Sequence, residues 1–206
     1  MIISYIGKER CDIIYHLIKI GINAGKRLLV IDNSMTHDLF SLFEKNDGED
    51  IQEHGNLTIC KDYKLGKKAQ EYDCVYLYEG IVPRYEGKRD VQIIAPGCEN
   101  TEIKQIRAYL DELVSNGTEF PEETYVIERD KVNRKITAKT LSSLLNVNTQ
   151  NCIDLEFDVK DYSQYVSLTH NMRTSSAVSA QMYEVIESIA VVVYNTNAKM
   201  LKKLMR

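Results

Sequence analysis

The chain has 206 residues, enough for one domain with a sizeable core. With 26 basic and 30 acidic residues, its net charge of -4 gives no reason to expect a nucleic-acid partner, which would call for a basic surface. The five cysteines (Cys11, Cys60, Cys74, Cys98, Cys152) have no C-x-x-C spacing, against a disulfide framework or zinc site and for a reducing, cytoplasmic setting; no apolar run nears the roughly 20 residues of a bilayer span, and Lys8-Glu9-Arg10 breaks any signal-peptide pattern.

In chain order, the first apolar run, Ile2 to Ile6, predicts a buried strand, followed by the turn Gly7-Lys8-Glu9-Arg10. A helix follows from Asp12 to Ala24, with Ile13, Leu17, Ile20 and Ala24 at helical spacing and Gly25 as its stop. Leu28 to Asp32 is the next strand. A helix starting near Thr36 carries Leu39, Phe40, Leu42 and Phe43, and Glu44 to Asp50 reads as a solvated charged loop. Leu57 to Cys60, Cys74 to Tyr78, Val91 to Ala95 and Tyr125 to Glu128 are further strands, apolar on consecutive positions as in a parallel sheet covered on both faces. Between the last two, Thr101 to Ser115 is an amphipathic helix ended by Gly117. Thr137 caps a short helix carrying Leu141, Leu144 and Leu145, and a final long helix, capped by Ser175-Ser176, carries Val178, Met182, Val185, Ile186, Ile189 and Val193. Strands alternating with helices predict one doubly wound α/β domain over residues 1–196, a mostly parallel sheet with helices on both faces.

Ligands of such sheets sit beyond the carboxyl ends of the strands, which directs attention to Gly7-Lys8, Asp32-Asn33-Ser34 and Glu79-Gly80. A strand, a turn and a helix stand where a phosphate cradle belongs, but the pattern G-x-x-x-x-G-K-[ST] is absent. The histidines (His16, His37, His54, His170) show no metal-ligand spacing. His37, beside Asp38 and near Asp32, is the only one at the ligand end. Tyr72, Tyr76, Tyr78 and Tyr85 cluster around one strand, a half-buried sheet edge or a protein-binding surface.

Gly25-Lys-Arg-Leu-Leu-Val-Ile-Asp32, Tyr72-Asp-Cys-Val-Tyr-Leu77, Tyr125-Val-Ile-Glu-Arg129 and Lys135-Ile-Thr-Ala-Lys139 resemble the successive strand motifs of the ParA/MinD partition-ATPase superfamily, and within it the TadZ/CpaE branch associated with pilus assembly. The resemblance implies a P-loop NTPase-like fold. It places vestigial nucleotide-binding positions at Gly7, Lys8 and Asp32. The departures are specific. Glu9 stands where the family's loop continues, and an acid there opposes phosphate charge. No hydroxyl follows Lys8 to hold Mg²⁺, Ser34 replaces a second acid after Asp32, and Tyr78 replaces an aspartate, with Glu79 pointing to the opposite face.

These departures predict a pseudo-ATPase scaffold with no catalytic residues, no metal and no cofactor. It would bind protein partners, and the resemblance suggests localising a pilus or secretion assembly and forming a homodimer. The rival is a weak ATPase or nucleotide-gated switch that holds ATP with magnesium through Lys8 and Asp32. The basic amphipathic tail, residues 197–206, sets Lys199, Lys202, Lys203 and Arg206 opposite Met200, Leu201, Leu204 and Met205. Such a segment either lies on an anionic membrane surface, as the C-terminal helix of MinD relatives does, or packs against the domain or a partner.

Overall fold

The computed structural model describes residues 1–43, 48–62, 67–81, 83, 85, 87–131, 135–170 and 178–205. Eight strands lie among them: β1 (Ile2–Gly7), β2 (Leu28–Asp32), β3 (Ile51–His54), β4 (Leu57–Lys61), β5 (Cys74–Tyr78), β6 (Val91–Ala95), β7 (Glu123–Lys131) and β8 (Asn151–Glu156). The α-helices are α1 (Asp12–Asn23), α2 (Asp38–Ser41), α3 (Asn100–Ser115), α4 (Ala138–Leu144), α5 (Val159–Thr169), α6 (Ala180–Tyr194) and α7 (Ala198–Leu204).

The strands form one sheet in the order β3-β4-β2-β5-β1-β6-β7-β8. Every pairing is parallel except β3 with β4, an antiparallel hairpin at one edge. The residues of β2, β5 and β6 are buried throughout, which is why their sequences are apolar without alternation. On one face Ile3, Tyr5, Val30, Tyr76 and Ile93 pack with Ile13, Leu17 and Ile20 of α1 and Val185, Ile186 and Ile189 of α6. On the other, Ile6, Ile94 and Val126 meet Ile106 and Leu110 of α3 and Leu141 of α4. The expected doubly wound, mostly parallel α/β sheet is the observed one.

Local sequence explains the helix ends. Gly25, at φ 71°, closes α1 in the left-handed conformation. Thr137 accepts from the Thr140 amide at 3.1 Å to start α4, as its hydroxyl predicts.

Four expectations are corrected. The second helix is only Asp38–Ser41, because His37 sits at φ 49° and the chain turns again at Leu42; Leu39 and Phe40 are nonetheless buried. β3, β8 and α5 stand where no element is predicted. The last long helix starts at Ala180 with Ser179 as its cap; Ser175 and Ser176 lie outside the described residues, as do residues 44–47 of the charged loop. Tyr76 and Tyr78 are core residues of the central strand β5, fully buried, and not part of a sheet edge.

Candidate functional site

β1 lies between β5 and β6, and the helices leaving it and β6 diverge: α1 leads to β2 on one side, α3 to β7 on the other. This reversal opens the crevice where open α/β sheets take ligands. Gly7 ends β1, Lys8 follows it, and Asp32 ends β2, all on this rim.

Gly7 sits at φ 145°, and a Cβ there would lie 2.1 Å from the Ala95 carbonyl oxygen, so only glycine lets β1 run this close to β6. Its N–H donates to Gly80 O at 2.9 Å, the Lys8 N–H to Ala95 O at 2.9 Å, and the Arg10 N–H to Lys8 O at 2.8 Å. In a phosphate loop the amides converge on the ligand; here these three are engaged by the chain itself. Glu9 turns its carboxylate onto the Met35 and Thr36 amides at 3.0 and 3.2 Å, tying the turn to the segment after β2. Lys8 leaves its half-exposed ammonium 3.9 Å from Asp130.

Asp32 is fully buried. One oxygen accepts from the Ser34 amide at 3.0 Å and its hydroxyl at 2.6 Å; the other accepts from the Phe40 amide at 2.8 Å. It therefore braces the β2–α2 turn. Burial pushes its carboxyl up to about 6, against the pull of the Ser34 and Phe40 hydrogen bonds. His37 stands 3.8 Å from Asp32 and 3.2 Å from Asp62. Glu79, on the face opposite Tyr78, is buried and accepts from the Ser4 hydroxyl at 2.8 Å and the Tyr85 amide at 2.7 Å.

A group that sequence reasoning missed lies beside Lys8. Arg129, at the end of β7, is buried and donates to both oxygens of Asp12 at 2.6 and 2.7 Å. Arg10 donates to the same carboxylate at 2.8 Å and to both oxygens of Asp130 at 2.5 and 2.6 Å. Its guanidinium also lies over the Tyr162 and Tyr165 rings. Asp12 is the first residue of α1, and its other acceptor contact is the Ile13 amide at 2.9 Å. Burial alone would raise its carboxyl; Arg129 and Arg10 outweigh that and hold it below the ordinary carboxylate range. The sequence signal was the charged run Glu128-Arg129-Asp130-Lys131 directly after the apolar stretch Tyr125-Val126-Ile127 of β7.

The tail forms α7, with Asn197 as its cap. Leu201 is fully buried on the domain core, and Leu204 and Met205 pack at its edge. Lys199, Lys202 and Lys203 are exposed; Arg206 lies outside the described residues. No helix among the described residues is long and apolar enough to cross a membrane.

No protein-family model and no curated protein sequence matches the chain. Solved structures do. A ParA family ATPase from Chlorobium tepidum is 11% identical over 92% of this chain and 98% of its own, with a TM-score of 0.64. The MinD cell division protein of Aquifex aeolicus is 12% identical over 95% and 97%, TM-score 0.63, and its MinC:MinD complex matches nearly as well. A putative plasmid partition protein from Borrelia burgdorferi, bound to AMPPNP, is 13% identical over 94% and 98%, TM-score 0.56. At such identities the likeness is one of fold, and the fold is that of the ParA/MinD ATPases.

The AMPPNP-bound structure corrects the expectation of no cofactor, since a protein of this fold carries an ATP analogue. The residues of this chain do not fit a triphosphate held in the manner of a phosphate loop. The Gly7, Lys8 and Arg10 amides are engaged, and the Glu9 and Asp12 carboxylates stand at the turn and at the start of α1.

Proposed function

We propose that this chain is a ParA/MinD-type pseudo-ATPase scaffold: a nucleotide-responsive module that binds protein partners and does not turn ATP over. The observation that carries this is the engagement of the loop amides within the sheet, with Glu9 braced against Met35 and Thr36. Phosphoryl transfer depends on groups that position the phosphates and the attacking water. Asp32, the one acid matching the ATPase pattern, has its oxygens directed at Ser34 and Phe40. Relatives of the fold named for plasmid partition and for a MinC:MinD complex support a role exercised through other proteins. The finer assignment, localising a pilus or secretion assembly as a homodimer, rests on the sequence resemblance to the TadZ/CpaE branch.

The test is Mg-ATP titration by calorimetry together with phosphate release from the same sample. Binding without release above the buffer rate is the expected result. Steady turnover abolished by Lys8→Ala would replace this reading with that of a weak ATPase, and absence of any binding heat would remove the nucleotide response.

A further inference from the structure

We propose that a cleft at the amino ends of β6 and β7 binds a small dipolar ligand of the dipeptide class, with its carboxylate at Lys88 and Arg89 and its ammonium at Glu119 and Glu122. The site goes beyond the reading above. It lies at the end of the sheet opposite the rim of Gly7 and Asp32 and does not depend on a nucleotide.

The cleft has a volume of about 570 Å³, within the range of small-molecule sites. Residues 88–90, leading into β6, line one side, and residues 117–122, between α3 and β7, line the other. Both sides are fixed by the chain's own hydrogen bonds. Asp90 accepts from the Ile2 amide at 2.7 Å, and its own amide donates to Ile2 O at 2.9 Å. Opposite, the Thr118 amide closes the end of α3 on Leu113 O at 2.9 Å, and the Thr124 hydroxyl donates to Pro121 O at 2.6 Å. A ligand therefore meets a preformed shape, which keeps the ordering cost of binding small.

The two sides differ in charge. Arg89 is 5% exposed, and its terminal nitrogens donate to Gly87 O at 3.2 Å, to the Tyr109 hydroxyl at 2.9 Å and to Tyr85 O. Its buried Nε has no hydrogen-bond partner. A buried donor left unmade is costly, and a carboxylate or amide oxygen of a ligand removes that cost. Lys88, exposed next to it, adds a second cation. On the other side Glu119 and Glu122 are exposed, and α3, with no basic residue in its last turn, ends there with the negative end of its dipole. Between these acids, half-buried Phe120 and Pro121 supply apolar surface, Phe120 packing against the core under α3. A simple anion meets Glu119 and Glu122, and a simple cation meets Lys88. A ligand with one charge of each sign and an apolar side chain satisfies both sides at once.

The experiment is calorimetry on the full chain with glycyl-L-phenylalanine at fixed ionic strength and about pH 7, where both termini of the dipeptide are charged. The free dipeptide is expected to bind with a Kd below about 1 mM, ordinary for a ligand of this size. N-acetylglycyl-L-phenylalanine and glycyl-L-phenylalaninamide are each expected to bind at least about tenfold more weakly, the loss of one charge-assisted contact. Glu119→Gln/Glu122→Gln is expected to weaken the free dipeptide by a similar factor and to leave the acetylated one unchanged, since that form carries no ammonium. Lys88→Met is expected to weaken the free dipeptide and spare the amidated one. These side chains are exposed, so the variants keep the fold. No binding heat up to about 10 mM dipeptide overturns the proposal, as does a blocked form that binds as tightly as the free one. Equal weakening of free and blocked forms by either variant also overturns it. Mg-ATP is absent throughout, so the outcome is independent of the nucleotide reading.

Discussion

Leu201→Ala decides whether the tail is part of the domain. Leu201 is fully buried against α1 and α6, within the same core as Ile13, Leu17 and Ile189. Asn197 fixes the start of α7 by accepting from the Met200 amide at 3.0 Å, and Asn23 of α1 donates to the Leu204 carbonyl near its end. Removing a buried leucine side chain from a well-packed site costs about 3–5 kcal/mol. A seven-residue terminal helix can instead detach, so the loss is capped by its docking energy, which a single anchoring leucine sets at about 2–3 kcal/mol. At about 2–4 °C per kcal/mol for a chain of this size, the unfolding temperature falls by about 5–10 °C. Thermal unfolding followed by circular dichroism, with urea midpoints alongside, reads this directly. Met200→Ala is the control: its side chain is 54% exposed on the same helix, and its loss is expected to cost under about 0.5 kcal/mol. If Leu201→Ala moved the midpoint by less than about 1 °C, α7 would not be docked in solution. Its apolar side would then be free for the membrane-surface role that its basic face suggests.

Gly7→Ala is expected to cost about 3 kcal/mol or more in urea unfolding, since its Cβ meets the Ala95 carbonyl and its φ is unfavourable for an L residue; a loss under about 1 kcal/mol would show that β1 and β6 separate easily. Arg129→Met breaks a buried ion pair and is expected to cost about 3–5 kcal/mol at pH 7. Asp12, held below the usual carboxylate range, stabilises the fold fully above about pH 4 and loses that contribution as pH falls through its folded value; Arg129→Met is expected to flatten this acid limb, and an unchanged limb would clear Asp12 of responsibility. Asp32 works in the opposite sense. Its folded carboxyl titrates at about 6, above the unfolded value, so the folded state binds the extra proton between about pH 4 and 6 and this group's contribution declines as pH rises through that window. Asp32→Asn is expected to remove that decline in a pH series of urea midpoints, and a persistent slope would assign it to another group.

The fold was legible where burial was two-sided. β1, β2, β5 and β6 are apolar on consecutive positions because helices or loops cover both their faces, and α1 and α3 show the helical period because one face of each is core. What escaped lies at the margins. β3 reads Ile-Gln-Glu-His and β8 reads Asn-Cys-Ile-Asp-Leu-Glu; as edge strands they carry polar residues where an interior strand cannot, so composition marks them as loop. That Gly7, Lys8 and Asp32 lie at the carboxyl ends of β1 and β2 was legible because topology dictates where strand ends go. The capping role of Asp32 was also open to sequence reasoning, since acids at such ends accept from the next turn. The meeting of Asp12 with Arg129 was not, because 117 residues separate them and no local pattern encodes their contact.

That meeting also bears on why the turn after β1 departs so far from a phosphate loop. A short turn brings α1 close to the rim, and a helix N-terminus there needs a negative partner. Here the first residue of the helix supplies the charge, and Arg129 and Arg10, each buried, need it whether or not a ligand is present. A carboxylate placed in this way stabilises the folded state without the glycines and the hydroxyl of a phosphate loop. Glu9 is then free to brace the neighbouring segment after β2 through Met35 and Thr36. The form of the turn and the internal ion pair are thus physically coupled, and glycines and a hydroxyl introduced into the turn with Asp12 in place are not expected to raise phosphate release from Mg-ATP above that of the unaltered chain.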